Sequence, residues 1–205
     1  MIKGIDVSRW QGNIDFNKVK ASGIDFVLIK AGGSDAGYYT DKNFLQNVIG
    51  AASAGLHIGA YYFVGKKCKS SADGLADAMR FGEIIKDVRL DYPVYIDFEA
   101  PDASNKQGNT DACNAFCAYM ESLGYYAGIY ASDISGFKDR LYLNQLSRYD
   151  KWVARYGSEP KYVGAYGIWQ SSSKGNVAGI KGHVDIDYSK HDYSTIIKNM
   201  HLNGW

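Results

Sequence analysis

The stretch Tyr92-Pro93-Val94-Tyr95-Ile96-Asp97-Phe98-Glu99-Ala100 is apolar until it ends in acid, apolar, acid. A short apolar run of this kind reads as a buried strand. Alternation along a strand puts Asp97 and Glu99 on one face, with Cα atoms roughly 6.6 Å apart. As the fourth strand of a barrel, that face points inward at the C-terminal rim, where barrel enzymes hold their chemistry. Two carboxylates there repel, so one proton is held more tightly than the other. That difference is what a general acid beside an ionised carboxylate requires. Alone, an acid-x-acid ending is weak, because a structural Asp beside a solvated Glu looks the same.

Working outward, similar runs recur at even intervals. They are Ile2 to Val7, Phe26 to Ala31, His57 to Val64, Tyr125 to Tyr130, Trp152 to Tyr156, Ala165 to Gln170 and His183 to Tyr188. With the first, they make eight. Between the early ones lie helical stripes: Phe44, Leu45, Val48, Ile49 and Ala52 before Gly55, then Leu75, Ala78, Met79 and Ile85. Thr110 reads as the N-cap of a helix ending before Gly124, and Ile134 to Leu146 as a fifth, less regular helix. Past Tyr156 the connections turn to Gly, Ser and Lys without helical period. Strands alternating with helices imply a parallel α/β arrangement, and eight strands suit a closed barrel. The late strands lack crossover helices, which parallel neighbours ordinarily need. The expectation is an incomplete α/β barrel, five βα units and a β-rich closing section, followed from about Lys190 by a terminal helix.

Further acids fall at strand ends. Asp6 closes the first, in Gly4-Ile5-Asp6-Val7-Ser8, and Asp185 and Asp187 punctuate the eighth. In a closed barrel the eighth strand lies beside the first and across from the fourth, which gathers Asp6, Asp97, Glu99 and Asp185 at one mouth. Four acids there are costly without a cation, a metal or a catalytic use. Hard cations suit such clusters, but His57, His183, His191 and His201 show no ligand spacing, and a metal is the minority reading. There is no G-x-S-x-G elbow, evident Cys–His setting, G-x-G-x-x-G or phosphate loop. A carboxylate pair in a cleft lined by Tyr and Trp is equipment for glycosidic bonds.

Composition agrees. The 205 residues carry 23 Lys and Arg against 22 Asp and Glu, a net charge of +1, so no nucleic-acid footprint is present. Apolar runs stop at four or five residues, too short for a membrane span, and Met1-Ile2-Lys3-Gly4 does not read as a signal peptide. Cys113 and Cys117 share a helical face with Phe116 and Met120 and read as core. Cys68, among Lys66, Lys67 and Lys69, reads as an exposed thiol whose pKa those cations could lower. An odd cysteine count argues against a disulfide framework. Seventeen Tyr and four Trp suit either sugar stacking or a Tyr-rich core.

The sequence resembles the Chalaropsis-type lysozymes, glycoside hydrolase family 25, over nearly its whole length. The matching pieces are Gly4-Ile5-Asp6-Val7-Ser8 with Trp10-Gln11-Gly12, Phe26-Val27-Leu28-Ile29-Lys30-Ala31, Gly59-Ala60-Tyr61-Tyr62-Phe63, Tyr95-Ile96-Asp97-Phe98-Glu99, Trp169-Gln170 and Val184-Asp185. The resemblance implies an irregular TIM-like (β/α)5(β)3 barrel. It also implies cleavage of the β-1,4 bond between N-acetylmuramic acid and N-acetylglucosamine in peptidoglycan; no cofactor is expected. By position, Glu99 would be the general acid and Asp97 the carboxylate that stabilises the charged intermediate, by orienting the sugar's acetamido group. Asp6 and Asp185 would support them. Lys30, Tyr61, Phe63, Tyr130, Trp152, Trp169, Gln170 and Asp187 would line the substrate cleft. The family often has His where Tyr62 stands, Thr-Glu-Gly where Gly32-Gly33-Ser34 stands, and commonly Asn where Asp187 stands.

Two other readings stand beside this one: a non-catalytic barrel that binds peptidoglycan, and a chitin-directed glycosidase, although the longer D-x-x-D-x-D-x-E chitinase pattern is absent. The expected organisation is one catalytic barrel over residues 1–190 with a helix and tail over 191–205. The expected partner is the peptidoglycan glycan strand, met by a monomeric unit that does not enter the membrane. Without a signal peptide in this sequence, two expectations match: synthesis in the cytoplasm with release to the wall, or a catalytic module taken from a longer protein.

Overall fold

A computed structural model describes residues 1–205. Nine strands form one sheet: β1 (Ile2–Val7), β2 (Phe26–Gly33), β3 (Tyr39–Thr40), β4 (His57–Phe63), β5 (Val94–Asp97), β6 (Ala127–Ser132), β7 (Asp150–Ala154), β8 (Ile168–Gly175) and β9 (Val184–Ser189). Five α-helices accompany them: α1 (Phe16–Ala21), α2 (Phe44–Ser53), α3 (Ser71–Ile85), α4 (Lys106–Ser122) and α5 (Tyr193–Asn199). The strand order is β1-β9-β8-β7-β6-β5-β4-β2, and β1 pairs with β2 to close an eight-stranded barrel. The two-residue β3 is an antiparallel flap on β2. Within the barrel, β1, β2 and β4 through β8 pair in parallel, whereas β9 runs antiparallel to both its neighbours. This is the irregular α/β barrel expected above.

The late strands explain the irregularity. Between β6 and β7 there is no α-helix but a π-helical turn (Asp133–Lys138) and a 3-10 turn (Leu143–Leu146), where the sequence had suggested one helix. Nothing helical joins β7 to β8, yet they pair in parallel over Trp152–Ala154 and Ile168–Gln170. Asp133 makes this possible, by accepting the backbone N–H groups of Lys161, Tyr162 and Val163 and the Arg155 guanidinium. One carboxylate fastens the loop where a crossover helix would otherwise pack.

Local expectations need three corrections. Thr110 lies inside α4; the N-cap is Asn105, whose side chain accepts from the Gly108 N–H. Helix α2 buries Phe44, Asn47 and Ala51, whereas Leu45 and Ile49 face outward, because the apolar stripe is wider than the surface it can cover. Cys68 is buried, not exposed; burial and the neighbouring Asp77 push its thiol up, opposite to the effect expected of the lysines.

Two cores result. One lies between barrel and helices and includes Cys113, Cys117, Phe116 and Met120. The other fills the barrel with rings, among them Phe26, Tyr61, Tyr92, Tyr95, Tyr130 and Trp152. Glycine makes room for them: a Cβ on Gly4 would stand 2.4 Å from the Phe26 ring, and one on Gly128 would meet Tyr95 as closely. The bottom is sealed by Asp150, which accepts from the Tyr95 and Tyr193 hydroxyls. Helix α5 and the tail join that seal, since Asn203 bonds Tyr126 and Tyr92 and the Trp205 indole donates to Leu90. No helix is long and apolar enough to cross a membrane.

Candidate active site

The open end of the barrel is a cleft, and the strand alternation builds it. Register puts Phe63 beside Asp97, Asp97 beside Tyr130, and Tyr130 beside Trp152. On the far side Asp6 pairs with Asp185. Beyond β5 the ladder runs one residue further, where the Phe98 N–H donates to the Tyr130 carbonyl. Phe98 is accordingly buried on the outer face, while Asp97 and Glu99 both line the cleft. Arg140 donates to the Glu99 carbonyl and holds that turn. The cleft therefore collects Asp6, Asp97, Glu99 and Asp185, with Lys30, Tyr61, Phe63, Tyr130, Trp152 and Gln170 as its walls.

Two residues expected on the cleft wall are elsewhere. Trp169 alternates with Gln170, so only one of them can face inward. Gln170 does, and Trp169 packs outside against Tyr188 while its indole donates to the Arg155 carbonyl. Asp187 does face inward but lies a layer below Asp185, fully buried, where it accepts the Trp152 indole N–H at 2.8 Å. Four cleft residues went unassigned in the sequence: Ser8, Trp10, Gln11 and Tyr156. They lie on segments leaving β1 and β7, so the rim rule that singled out Asp97 could have found them. Ser8 and Gln11 form a capping box, the Ser8 hydroxyl accepting from the Trp10 N–H and Gln11 accepting from the Ser8 N–H. This turn holds the 77% exposed Trp10 at the cleft edge.

The floor is a hydrogen-bonded chain. Gln170 donates its amide to Asp6 at 2.8 Å, and its oxygen accepts from the Tyr130 and Tyr156 hydroxyls. Burial raises Asp6 well above the carboxylate range, Asp187 and Asp185 add to this, and Gln170 opposes it. Burial likewise raises Asp97, with Glu99 adding and Lys30 opposing. Glu99, on the exposed lip, is raised by the walls that shield its carboxyl and held down by Lys30 and Arg140. Asp185 is pushed up to about 6, by burial first and by Glu99. The Lys30 ammonium lies 4.3 Å from the Phe63 ring centre, fixed on the cleft wall by a cation–π contact. The Asp97–Glu99 pair thus holds its proton more tightly than two exposed carboxylates would.

Residues 5–180 match the model of the glycosyl hydrolases family 25. The chain belongs to glycosyl hydrolase family 25. Among its relatives in the family, it is 32% identical over 187 residues to the autolytic lysozyme of Clostridium acetobutylicum, covering 91% of this chain and 55% of that one. The chain therefore spans about half the length of that relative. The crystal structure of the CTP1L endolysin superposes with a TM-score of 0.83 at 28% identity, over 97% of this chain and 70% of that one. The modular autolysin LytC of Streptococcus pneumoniae, solved with a synthetic peptidoglycan ligand, gives a TM-score of 0.77 at 27% identity, over 91% of this chain and 46% of that one. These likenesses agree with the family 25 barrel described above.

Proposed function

We propose that this family 25 chain hydrolyses the β-1,4 bond between N-acetylmuramic acid and N-acetylglucosamine in bacterial peptidoglycan. Glu99 is the general acid, and Asp97 stabilises the positive charge at the anomeric carbon by orienting the sugar's acetamido group. The observation that carries this reading is the in-out-in order of Asp97, Phe98 and Glu99, which gives the cleft a carboxyl on its lip and another on its floor. Position assigns the roles before acidity does. A glycan lying in the cleft brings its bridging oxygen to the accessible lip, while the sugar ring covers the floor. In the empty cleft the deeper burial of Asp97 favours the proton there. A bound sugar strips water from Glu99 and raises it in turn, while growing positive charge on the ring favours Asp97 as the anion. The proton then passes to the leaving oxygen, the bond breaks, and water adds to the sugar and returns a proton to the pair. The autolytic lysozyme of C. acetobutylicum and the peptidoglycan-bound LytC support the choice of substrate. By the same proposal, the chain acts on the cell wall as a single unit, without membrane insertion.

The test is Glu99→Gln. Clearing of purified walls is expected to fall by about a hundredfold or more, with unchanged thermal stability. Mass spectrometry of wall digested by the parent protein should find muramic acid at the new reducing ends. A Gln variant that clears walls at the parent rate overturns the assignment. Binding without new reducing ends would make the barrel a carbohydrate-binding module, and faster release from chitin oligomers than from wall would make it a chitin-directed enzyme.

A further inference from the structure

A second cavity opens on the same rim, between the β2–β3 connection at Ser34 to Tyr38 and the β4–α3 connection at Lys66 to Cys68. Phe63 lines both this cavity and the cleft, and Ala100, which follows Glu99, sits at its inner edge. Its volume is about 640 Å³, within the range of sites that take small molecules.

Three of its charged or acidic groups lack an ion-pair partner. Asp77 reaches it from α3 although only 3% exposed, and the Asp77 Oδ1 atom has no hydrogen bond. Lys66 and Lys67 are exposed at its edge, and no ion pair in the chain includes either of them or Asp77. The other acids are satisfied: Asp35 accepts from the Tyr39 hydroxyl, and Asp73 from the Ser70 hydroxyl and the Lys69 N–H. Burial raises the Asp77 carboxyl and Asp73 adds to this, while hydrogen bonds from the Ser34 hydroxyl and the Cys68 thiol offset it in part and leave Oδ1 free. A buried carboxyl without a cation is a cost that an arriving ammonium removes. Two free ammonium groups at the mouth suit carboxylates, through charge-assisted hydrogen bonds. The complementary ligand carries an amine at one end and carboxylates at the other.

Resting on the peptidoglycan reading of the cleft, we propose that this cavity binds the peptide stem of the wall, a short acidic peptide with one free amine. Asp77 takes the amine, and Lys66 and Lys67 take the carboxylates. The stem hangs from the lactyl group of muramic acid, on the sugar whose bond is cut. A pocket sharing Phe63 with the cleft and adjoining Glu99 lies where a stem leaving that sugar can enter. The chain would then read whether a glycan strand is decorated.

The experiment compares glycan strands bearing stems with the same strands after amidase removal of the stems, for the parent protein, Asp77→Asn and the double variant Lys66→Ala, Lys67→Ala. The parent should favour decorated strands in kcat/KM by about tenfold or more, from the charged hydrogen bonds involved. Both variants should lose that preference and keep the parent rate on bare strands. The lysines are exposed, so their removal does not threaten the fold. Calorimetric titration of a synthetic stem peptide into Glu99→Gln should show binding that Asp77→Asn, added to that variant, removes. Equal parent rates on both strands, or variants that keep the preference, overturn the stem site while leaving the glycosidase reading in place. Failure of the parent to cut either strand overturns that reading, and the stem site with it.

Discussion

Trp152 donates its indole N–H to Asp187 at 2.8 Å, joining a cleft wall to an acid that the cleft does not reach. Asp187 is pushed up to about 8, by burial first and with Asp185 adding, against the bonds from Trp152 and Asp6. At neutral pH it is a protonated carboxyl, close to asparagine in shape and able like it to donate one hydrogen bond and accept another. Asp187→Asn should therefore keep activity within about threefold, since the floor retains its shape. Its effect on stability depends on pH. An acid whose folded pKa lies above its unfolded value of about 3.9 binds more protons folded, so stability falls as pH rises from about 4 to about 8. Thermal melts at pH 6 and pH 9 should show the parent losing more than the variant. Equal losses would remove Asp187 from this role.

Glu99 raises Asp185 across the cleft, and Asp185 in turn raises Asp97. Replacing Asp185 with Asn removes a negative charge that raises Asp97, so the Asp97–Glu99 pair should release its proton more readily. The alkaline limb of the kcat/KM profile on wall fragments is then expected at lower pH than in the parent. A limb that does not move, or moves upward, would show that Asp185 does not act on the proton of the reacting pair.

Lys30 acts with the opposite sign, because its ammonium lowers both Asp97 and Glu99. Lys30→Met keeps a long apolar stem against Phe63 and removes the charge. The same alkaline limb should move to higher pH, with a slower maximal rate because Asp97 is less ready to carry the anion. Measured side by side, the Asp185 and Lys30 variants should displace the limb in opposite directions. A common direction would mean that packing, not charge, governs the profile.

The sequence made the barrel legible because each strand is a compact apolar run, and the acids legible because they end those runs. The limits were those of a one-dimensional pattern. Period-two alternation tells which face a residue takes but not its depth, and so Asp187, on the inward face, was taken for a cleft residue when it lies a layer below. Trp169 is the contrary case, since its adjacency to the inward Gln170 already required it to face out. Strand boundaries drifted most in β8, which starts three residues after Ala165 and runs on to Gly175 through two irregularities of register. Cys68 was misread because its lysine neighbours point to solvent while a turn closed by its N–H to the Gly65 carbonyl tucks the thiol toward Asp77. Of the seventeen Tyr, five fill the barrel interior (Tyr61, Tyr92, Tyr95, Tyr130 and Tyr193) and four pack in the outer core (Tyr62, Tyr125, Tyr149 and Tyr166).

Trp10 tests the cleft edge apart from the chemistry. It is 77% exposed and contributes no burial to either core, yet it lines the cleft. Trp10→Ala should leave the melting temperature within about 1 °C, as surface changes do. If a sugar covers the ring, KM on wall fragments should rise by roughly tenfold, the equivalent of burying one large apolar side chain, with kcat little changed. A drop confined to kcat would place Trp10 in the reacting geometry, and no change would leave it outside the substrate path.

Asp133 tests the helix-free closure of the barrel. Its carboxylate holds Lys161, Tyr162 and Val163 by their N–H groups and Arg155 by its guanidinium at 2.8 Å. Burial would raise this acid, but those bonds outweigh it and hold the pKa below the usual range. Asp133→Ala strands three amides and a half-buried cation, at a cost of about 3 kcal/mol in urea melts at neutral pH. Because the folded pKa is depressed, the stabilisation is complete above the unfolded value of about 3.9 and fades as pH falls through the folded one. The gap between parent and variant should therefore narrow in acid. Activity should fall as well, because the loosened loop begins at Arg155 and carries Tyr156 on the cleft wall. A variant as stable as the parent at neutral pH, or a gap that widens in acid, would mean that something other than this carboxylate holds the β7–β8 crossing in place.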